Sequence, residues 1–213
     1  MSRAAPGRGP AICFVTDRTA TGGRPLVAVV AAAIAAGVAR VQVREKDLDG
    51  GALLRLVRDI REAVKAPGRC QVIVNDRLDV ALAARAAGVH LPAEGLPIEA
   101  VRARAGRRFL IGRSVHSLSE AQKARKEGAD YLILGPIFPT PGKAAFGEPL
   151  GVATLRKVID LVPLPIWAIG GINGSTAPGL RGIPIAGICA ISAIAAADDP
   201  AAGVQAIAHA LAG

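Results

Sequence analysis

The stretch "RVQVREKDLDGGALLRLVRDIREAVKAPGRCQVIVND", residues 40–76, decides the fold of this chain. At its two ends lie short apolar runs, "RVQV" and "CQVIV". Between these runs, Leu53, Val57 and Ile60 recur at the spacing of one helix face. Because the apolar runs are nearly continuous rather than alternating, they are typical of parallel strands that are buried on both faces. The stretch therefore predicts two parallel β-strands joined by a crossover helix.

Strand-like runs of this kind recur along the whole chain. They begin at Ala11, Arg40, Cys70, Gly88, Arg108, Ala129, Leu164 and Gly187. Eight such runs, separated by helix-like stretches within 213 residues, are typical of a compact (β/α)8 barrel. An open doubly wound sheet is the alternative, but "VTDRTATGG" lacks the G-x-G-x-x-G turn that this fold requires after its first strand. We therefore predict an α/β protein: a single-domain (β/α)8 TIM barrel over residues 11–213, after an N-terminal tail (residues 1–10) whose order the sequence leaves open.

The composition favours a globular protein that binds small anions. Hydrophobic residues make up 51% of the chain and aromatic residues 3%, so the core must be aliphatic. The net charge of +9 favours anionic partners. Single-stranded nucleic acid is usually bound on aromatic stacking platforms, and aromatic residues are few and scattered here. We therefore expect small phosphorylated molecules as partners, and no nucleic acid.

The cysteines and the apolar runs bear on location. Cys13, Cys70 and Cys189 lie far apart in apolar runs, which favours reduced thiols over a disulfide framework or a metal site. The first apolar run, "AICFV", is too short for a signal-peptide core or a membrane span. We expect a cytoplasmic protein without membrane association, and the sequence leaves a homo-oligomer open.

Polar residues follow the apolar runs, where the active sites of (β/α)8 barrels are found. Gln42, Arg44 and Lys46 alternate along the second strand, so their side chains share one side. We predict that this side faces the mouth of the barrel. A solvated edge strand is the alternative, and it is disfavoured because the neighbouring run "VIVND" is too apolar for an edge.

Asp76 follows the third apolar run, and two roles are open to it. It precedes a helix, so it could be an N-cap. Beside Arg, Lys and Ser groups on adjacent strand ends, its carboxylate could instead anchor Mg²⁺ that bridges a diphosphate, because Mg²⁺ takes one or two carboxylates plus phosphate oxygens. Glu94 and Asp79 are the candidates for a second carboxylate.

Later strand ends carry three further features. Gly170 and Gly171 would let backbone amides approach a phosphate, unless they serve only a tight turn. The run "AISAI" followed by "DDP" is expected to open the last helix, whose positive N-terminal end favours an anion. His116, close to Ser114, is a candidate proton shuttle, although an isolated histidine is more often a packing or surface residue.

Seven motifs in order resemble the thiamine phosphate synthase family and its close relative, the thiazole tautomerase. They are "VQVREK", "VIVNDR", "GVHL", "IGRSVHS", "GADYLILGPIFPTPGK", "IWAIGGI" and "ICAISAI", and they cover the chain from about Arg40 to Pro200. The resemblance implies a small (β/α)8 barrel. It also implies a transferase of thiamine biosynthesis that couples hydroxymethylpyrimidine diphosphate to thiazole phosphate and releases pyrophosphate with the help of Mg²⁺.

The resemblance also implies roles for individual residues. The pyrimidine diphosphate would be held by Gln42, Arg44, Lys46 and Asn75, the leaving diphosphate by Ser114, Thr140 and Lys143, and the thiazole phosphate by Gly171, Ile191 and Ser192. Asp76 would bind the metal. Catalysis would rest on Lys143, Arg44 and Ser114, and the stiff turn "PTPGK" would hold Thr140 and Lys143 on the departing pyrophosphate.

One departure keeps other functions open. The synthase motif "HLGQED" reads "HLPAEG" here, so Gly95 replaces its second acidic metal ligand, and Glu94 is the candidate substitute through a water. "HLPAEGLP" and "IGRSVHS" look like the tautomerase, in which His116 would move a proton while the thiazole carboxylate phosphate aromatises. The retained Q-x-R-x-K, "VND" and "PT" sets serve a diphosphate, which favours the synthase. A non-catalytic homologue that binds precursors or a partner protein is disfavoured, because polar groups at a barrel mouth are costly without a ligand.

Overall fold

Eight parallel strands close into a barrel in the computed structural model, which describes residues 10–64, 70–140 and 148–213. The strands are β1 Ala11–Val15, β2 Arg40–Val43, β3 Gln71–Asn75, β4 Gly88–Leu91, β5 Leu110–Val115, β6 Tyr131–Leu134, β7 Ile166–Ile169 and β8 Gly187–Ala190. Each strand pairs with the next along the chain, and β8 pairs with β1 through the register Cys13 to Cys189. The predicted (β/α)8 barrel is confirmed, and every strand lies within a predicted run.

Helices surround the strands. They are α1 Leu26–Ala35, α2 Gly50–Ala63, α3 Leu78–Ala83, α4 Ile98–Ala105, α5 Leu118–Lys126, α6 Gly151–Leu161, α7 Ser192–Ala195 and α8 Pro200–Ala212. In α2, the predicted apolar face is buried through Leu53, Val57 and Ile60. This helix begins where Asp49 accepts a hydrogen bond from the Ala52 amide at 2.8 Å, which satisfies one of its otherwise unpaired N–H groups.

Two connections differ from the regular pattern. Between β7 and β8, the described residues form only a short 3-10 helix, Ala177–Leu180, because Pro178, Gly179 and Gly182 disfavour a longer helix. The last helix opens at "DDP", as expected, but the preceding "AISAI" is not part of it. Instead it forms the four-residue α7, and α8 begins separately at Pro200 with Asp199 as its N-cap, accepting from the Ala201 amide at 2.8 Å.

Inside the barrel, the N-terminal ends of the strands are closed by Arg40, Tyr131 and Trp167, all of them buried. The Arg40 guanidinium carbon lies 4.3 Å from the Tyr131 ring centroid and 4.4 Å from that of Trp167, which is within cation–π range on both sides. Its Nη2 and Nε donate to Gln71 Oε1 at 2.8 Å and 3.2 Å. These side chains fill the base, so the interior is open toward the carboxyl ends of the strands.

Two observations concern the expected cytoplasmic location, namely the state of the cysteines and the character of the helices. Cys13 and Cys189 are buried and Cys70 is half-buried, and all three are free thiols. Within the described ranges, no helix is both long enough and apolar enough to cross a membrane. Residues 1–9 of the predicted N-terminal tail lie outside the described residues.

Candidate active site

A cavity of about 990 Å³ opens at the carboxyl ends of the strands. Its volume is at the upper end of the range for small-molecule sites. The predicted site residues that line it are Gln42, Arg44, Lys46, Asn75, Asp76, Ser114, His116, Thr140, Gly171, Ile191 and Ser192. Lys143 lies outside the described residues, and Glu94 does not line the cavity. Side chains that are scattered in sequence therefore meet at one mouth.

The end of β2 supplies cations to this mouth. Because β2 pairs with both β1 and β3, the edge-strand alternative was wrong. The Gln42 amide donates to Asn75 Oδ1 at 3.2 Å, which links two predicted ligands on neighbouring strands. Within the described residues, the side chains of Arg44 and Lys46 form no hydrogen bond or ion pair. Both charges are therefore available to an anion in the cavity.

A buried carboxylate fixes the backbone that carries these cations. Glu45 is 5% exposed and accepts from Thr16 Oγ1 at 2.6 Å and from the Arg18 amide at 3.1 Å. Thr16 Oγ1 in turn accepts from the Arg44 amide at 2.9 Å. Sequence reasoning missed Thr16 and Glu45. The only signal in the sequence was the position of Glu45, a carboxylate between the two predicted ligands Arg44 and Lys46.

Asp76 has an unusual backbone conformation. Its φ is +64°, in the left-handed region, and its amide donates to the His90 carbonyl at 2.8 Å. The N-cap of α3 is Arg77, without a side-chain capping bond, so the N-cap role for Asp76 was wrong. Strained conformations of this kind often occur at functional sites. The Asp76 carboxylate accepts no hydrogen bond in the described part of the chain, and it lines the cavity.

The two other candidate carboxylates are placed differently. Asp79 accepts from Arg77 at 2.9 Å and 2.5 Å, and this hydrogen-bonded ion pair lowers the pKa of the Asp79 carboxyl. Glu94 is exposed on the loop that follows β4. Neither lines the cavity, so Asp76 is the only one of the three carboxylates at the mouth.

His90 holds Ser114 from inside the barrel. Its Nε2 lies 2.8 Å from Ser114 Oγ, and the imidazole is 1% exposed. Burial lowers the pKa of His90 to about 3, with further contributions from the charges of Arg40 and Arg113, so the ring is neutral at neutral pH. Gly112 leaves space for this ring, because a Cβ there would lie 2.5 Å from His90 Nδ1. Sequence reasoning did not identify a role for His90.

His116 lines the cavity with a defined tautomer. Its Nδ1 donates to the Gly135 carbonyl at 2.5 Å. A carbonyl can only accept, so Nδ1 carries the proton and Nε2 of the neutral ring has the lone pair. The backbone amide of His116 donates to Glu120 Oε2 at 2.8 Å, which fixes the start of the loop. This arrangement gives His116 the capacity of a general base.

The loop that carries Thr140 lies on the end of β7. The Ile137 amide donates to the Ile169 carbonyl at 2.8 Å, and the Phe138 amide donates to the Gly170 carbonyl at 3.1 Å. A Cβ on Gly170 would lie 2.5 Å from Pro136 Cβ, and Gly170 and Gly171 both have positive φ. The two glycines thus allow the loops after β6 and β7 to pack together, in addition to any contact with a ligand.

The wall formed by Ile191 and Ser192 is held by an arginine from the loop before α1. Arg24 donates to the Ala195 carbonyl and to the Asp198 carbonyl, each at 2.8 Å. These bonds fix both ends of the segment that links α7 to α8. Sequence reasoning did not identify Arg24, because the two carbonyls lie far away in sequence.

The donor set limits what metal the site can hold. The described residues form no cluster of three or more His, Cys, Asp or Glu side chains suited to a metal ion. Asp76 alone fits Mg²⁺ only if phosphate oxygens supply further ligands, which is a common arrangement for this ion. The predicted metal site is therefore compatible with these residues only when a diphosphate shares it.

The closed barrel and its cationic, hydroxyl-bearing mouth define the class: a (β/α)8 barrel with side chains arranged to bind anions. The profile of the thiamine monophosphate synthase family matches residues 12–194. The chain belongs to this family. The prediction of a transferase of thiamine biosynthesis, made from the sequence motifs, is confirmed at this level.

Individual relatives agree with the family match. The chain is 44% identical to a putative thiamine-phosphate synthase of Geobacter sulfurreducens over 88% of its own length and 87% of the relative's. It is 41% identical to the thiamine-phosphate synthase of Moorella thermoacetica, over 86% of its own length and 87% of the relative's. Thiamine phosphate pyrophosphorylase from Pyrococcus furiosus has the same fold, with a TM-score of 0.85 and 33% identity over 95% of both chains.

Proposed function

We propose that this protein couples hydroxymethylpyrimidine diphosphate to thiazole phosphate, forming thiamine phosphate and releasing pyrophosphate. The observation that carries the proposal is the convergence of Arg44, Lys46, Asp76, Ser114 and Thr140 on one cavity. Two cations without partners among the described residues, together with two hydroxyls, suit a diphosphate, which offers several acceptor oxygens and a high negative charge.

The reaction requires stabilisation of a leaving group. The bond between the methylene carbon and the diphosphate oxygen breaks, its electrons leave with the diphosphate, and the thiazole nitrogen bonds to that carbon. Arg44 and Lys143 would bind the charge that builds on the diphosphate, and Ser114 and Thr140 would donate hydrogen bonds to it. Fixed charges and donors in a site of this kind act without reorganising, so no covalent nucleophile is required.

The pyrimidine and thiazole ends would use different walls. Gln42 and Asn75, already joined at 3.2 Å, present amide groups suited to the polar edge of a pyrimidine. On the other side, Gly171, Ile191 and Ser192 line the cavity where the thiazole phosphate would be held. The first amides of a helix have no partner within the helix, and Ser192 stands at that position in α7.

Magnesium would be held by Asp76 together with the diphosphate. When bound, it would neutralise charge on the phosphate oxygens. The protein's own side chains, chiefly Arg44 and Lys143, would orient the diphosphate for departure. The Ser114 hydroxyl, held by His90, would keep one oxygen of the diphosphate in place.

Pyrophosphate release from the two substrates tests the proposal. Lys143→Ala and Arg44→Ala should each lower kcat by roughly 100-fold, on the scale seen when one stabilising donor is removed from an active site. Arg58→Ala, which removes an exposed arginine of α2, should leave turnover unchanged. Circular dichroism of each variant should match the wild type. Wild-type turnover by Lys143→Ala would refute the assignment.

Thiazole tautomerisation is the second candidate, and it rests on His116. The ring donates from Nδ1 to the Gly135 carbonyl and so has its lone pair on Nε2, as a base requires. Thermal shift separates the candidates: Mg²⁺ with pyrophosphate should stabilise a synthase, whereas thiazole phosphate alone should stabilise a tautomerase. Stabilisation by neither would favour a non-catalytic homologue.

A further inference from the structure

The loop after β4 is held from behind by a buried arginine. Arg113 is 6% exposed, and its Nη1 donates to the Pro92 carbonyl at 2.7 Å and to the Ala93 carbonyl at 3.2 Å. Its Nη2 donates to the Leu96 carbonyl at 2.7 Å. Three carbonyls of one loop thus share a single guanidinium. Because Pro92 and Ala93 line the cavity, Arg113 fixes a part of the cavity wall.

The same loop leaves no space for a side chain at Gly95. The Gly95 amide donates to the Pro92 carbonyl at 2.9 Å, which closes a tight turn. A Cβ at residue 95 would lie 2.8 Å from Pro92 Cδ and 3.1 Å from Pro92 Cγ. Carbon atoms pack best at about 3.5–4.0 Å, so a side chain at Gly95 would require the turn to move. Arg113 opposes that movement.

Carboxylates at the cavity are correspondingly few. Among the described residues, the acidic side chains that line it are Asp17, Glu45 and Asp76. Asp17 accepts from the Thr19 amide at 3.0 Å and from the Thr19 hydroxyl at 2.6 Å. Glu45 is occupied by Thr16 and Arg18. Asp76 is therefore the one cavity-lining carboxylate that accepts no hydrogen bond from any of the described residues.

We propose that the loop of residues 92–97 is a preformed wall that presents no metal-binding side chain to the cavity, so that the site takes up a divalent cation only together with a diphosphate. Mg²⁺ gives up its water ligands reluctantly, and one carboxylate is too few to hold it. With diphosphate oxygens present, Asp76 completes a shared site. This inference rests on the proposed function, because it assumes that the cavity binds a diphosphate.

Water-proton relaxation with Mn²⁺ in place of Mg²⁺ tests the inference without an activity assay. The relaxation rate rises when Mn²⁺ is bound to a slowly tumbling protein. The wild type should give no enhancement with Mn²⁺ alone and a clear enhancement once inorganic pyrophosphate is added. Asp76→Asn should abolish the enhancement. A wild type that binds Mn²⁺ equally well without pyrophosphate would overturn the inference.

A loop variant makes the test independent of the diphosphate. Pro92→Gly combined with Gly95→Asp removes the ring atoms nearest to a Cβ at residue 95 and adds a carboxylate, so this double variant should bind Mn²⁺ without pyrophosphate. Gly95→Asp alone should not, and its Tm should fall. If the double variant gains no binding, the inference is wrong. If it does bind Mn²⁺ but pyrophosphate has no effect on the wild type, the proposed function fails while the account of the loop stands.

Discussion

The imidazole of His90 lies 2.8 Å from the hydroxyl of Ser114, and only the hydroxyl belongs to the set of predicted ligands. The histidine is buried on β4 and Ser114 lies on the neighbouring β5, and both line the cavity. Both are held on strands rather than loops, so the position of the hydroxyl is defined before any ligand arrives. Such preorganisation is what electrostatic stabilisation of a leaving group requires.

His90 should make the stability of the protein depend on acidic pH. The pKa of its imidazole falls from 6.5 to about 3 on folding, chiefly through burial. Between these values the unfolded chain binds a proton that the folded chain does not, so the free energy of unfolding should decrease as pH falls. The loss contributed by His90 should be on the order of 5 kcal/mol over the whole interval.

Urea titrations at a series of pH values would measure this dependence. His90→Gln should show a shallower decrease in unfolding free energy between pH 6.5 and about 3 than the wild type. His209→Gln, at an exposed position of α8, should retain the wild-type slope. Parallel curves for wild type and His90→Gln would contradict the assignment of the buried neutral histidine.

His90 and Ser114 should act as one unit in binding the pyrimidine diphosphate. Ser114→Ala and His90→Ala should each raise KM for that substrate, by roughly tenfold if one hydrogen bond to a charged group is lost. Because the two residues share a bond, the double variant should be little worse than Ser114→Ala. A double-mutant cycle measures the coupling. Fully additive effects would show that His90 does not act through Ser114.

The packing of the loops after β6 and β7 predicts a contrast between two glycines. A Cβ at Gly171, with φ of +64°, would lie 2.9 Å from Phe138 Cβ, whereas at Gly182, with φ of +69°, it would meet nothing within 4 Å. Gly182→Ala should therefore cost only the backbone strain, about 1 kcal/mol. Gly171→Ala should cost at least about 2 kcal/mol more, through overpacking, and also impair turnover.

Chemical denaturation of both variants checks this contrast. Since the two glycines have nearly the same φ, the difference in unfolding free energy isolates the contact between the loops. Equal destabilisation would indicate that the loop after β6 moves freely away from Gly171, and the account of how Thr140 is held would be wrong.

His116→Ala separates the two candidate reactions. Its Nδ1 bond to the Gly135 carbonyl orients a base that coupling does not require. We expect the variant to retain most of its pyrophosphate release, and to lose any tautomerase activity that the wild type has. Both reactions should be assayed on the same preparation, with the exposed His209→Ala variant as the matched control. Loss of coupling in His116→Ala alone would assign His116 to the synthase reaction.

Much of the fold could be predicted because parallel strands leave a strong local signal. The run "VIVND" is apolar on both faces, and its polar end marks the side where neighbouring strands also end. This rule was sufficient to predict that Arg44, Asp76 and Thr140 meet at one cavity. It could not predict the 3-10 helix before β8, where several prolines and glycines override the repeating pattern.

The remaining parts of the site depend on lateral neighbours, which a linear pattern does not contain. Glu45 is occupied by Thr16 because β1 lies beside β2, and the register between them is set only when the barrel closes. Arg113 follows an apolar run like the predicted ligands, yet its side chain leaves the barrel and binds the loop after β4. A strand-end residue can face inward or outward, and its exact place along the strand decides which.

The stack of Tyr131, Arg40 and Trp167 closes the barrel at its base, so the cavity lined by the described residues has a single opening. A molecule that enters past the strand ends must return by the same route, since its path is blocked below. A single route for both arrival and departure thus follows from a cation held between two aromatic rings at the bottom of the fold.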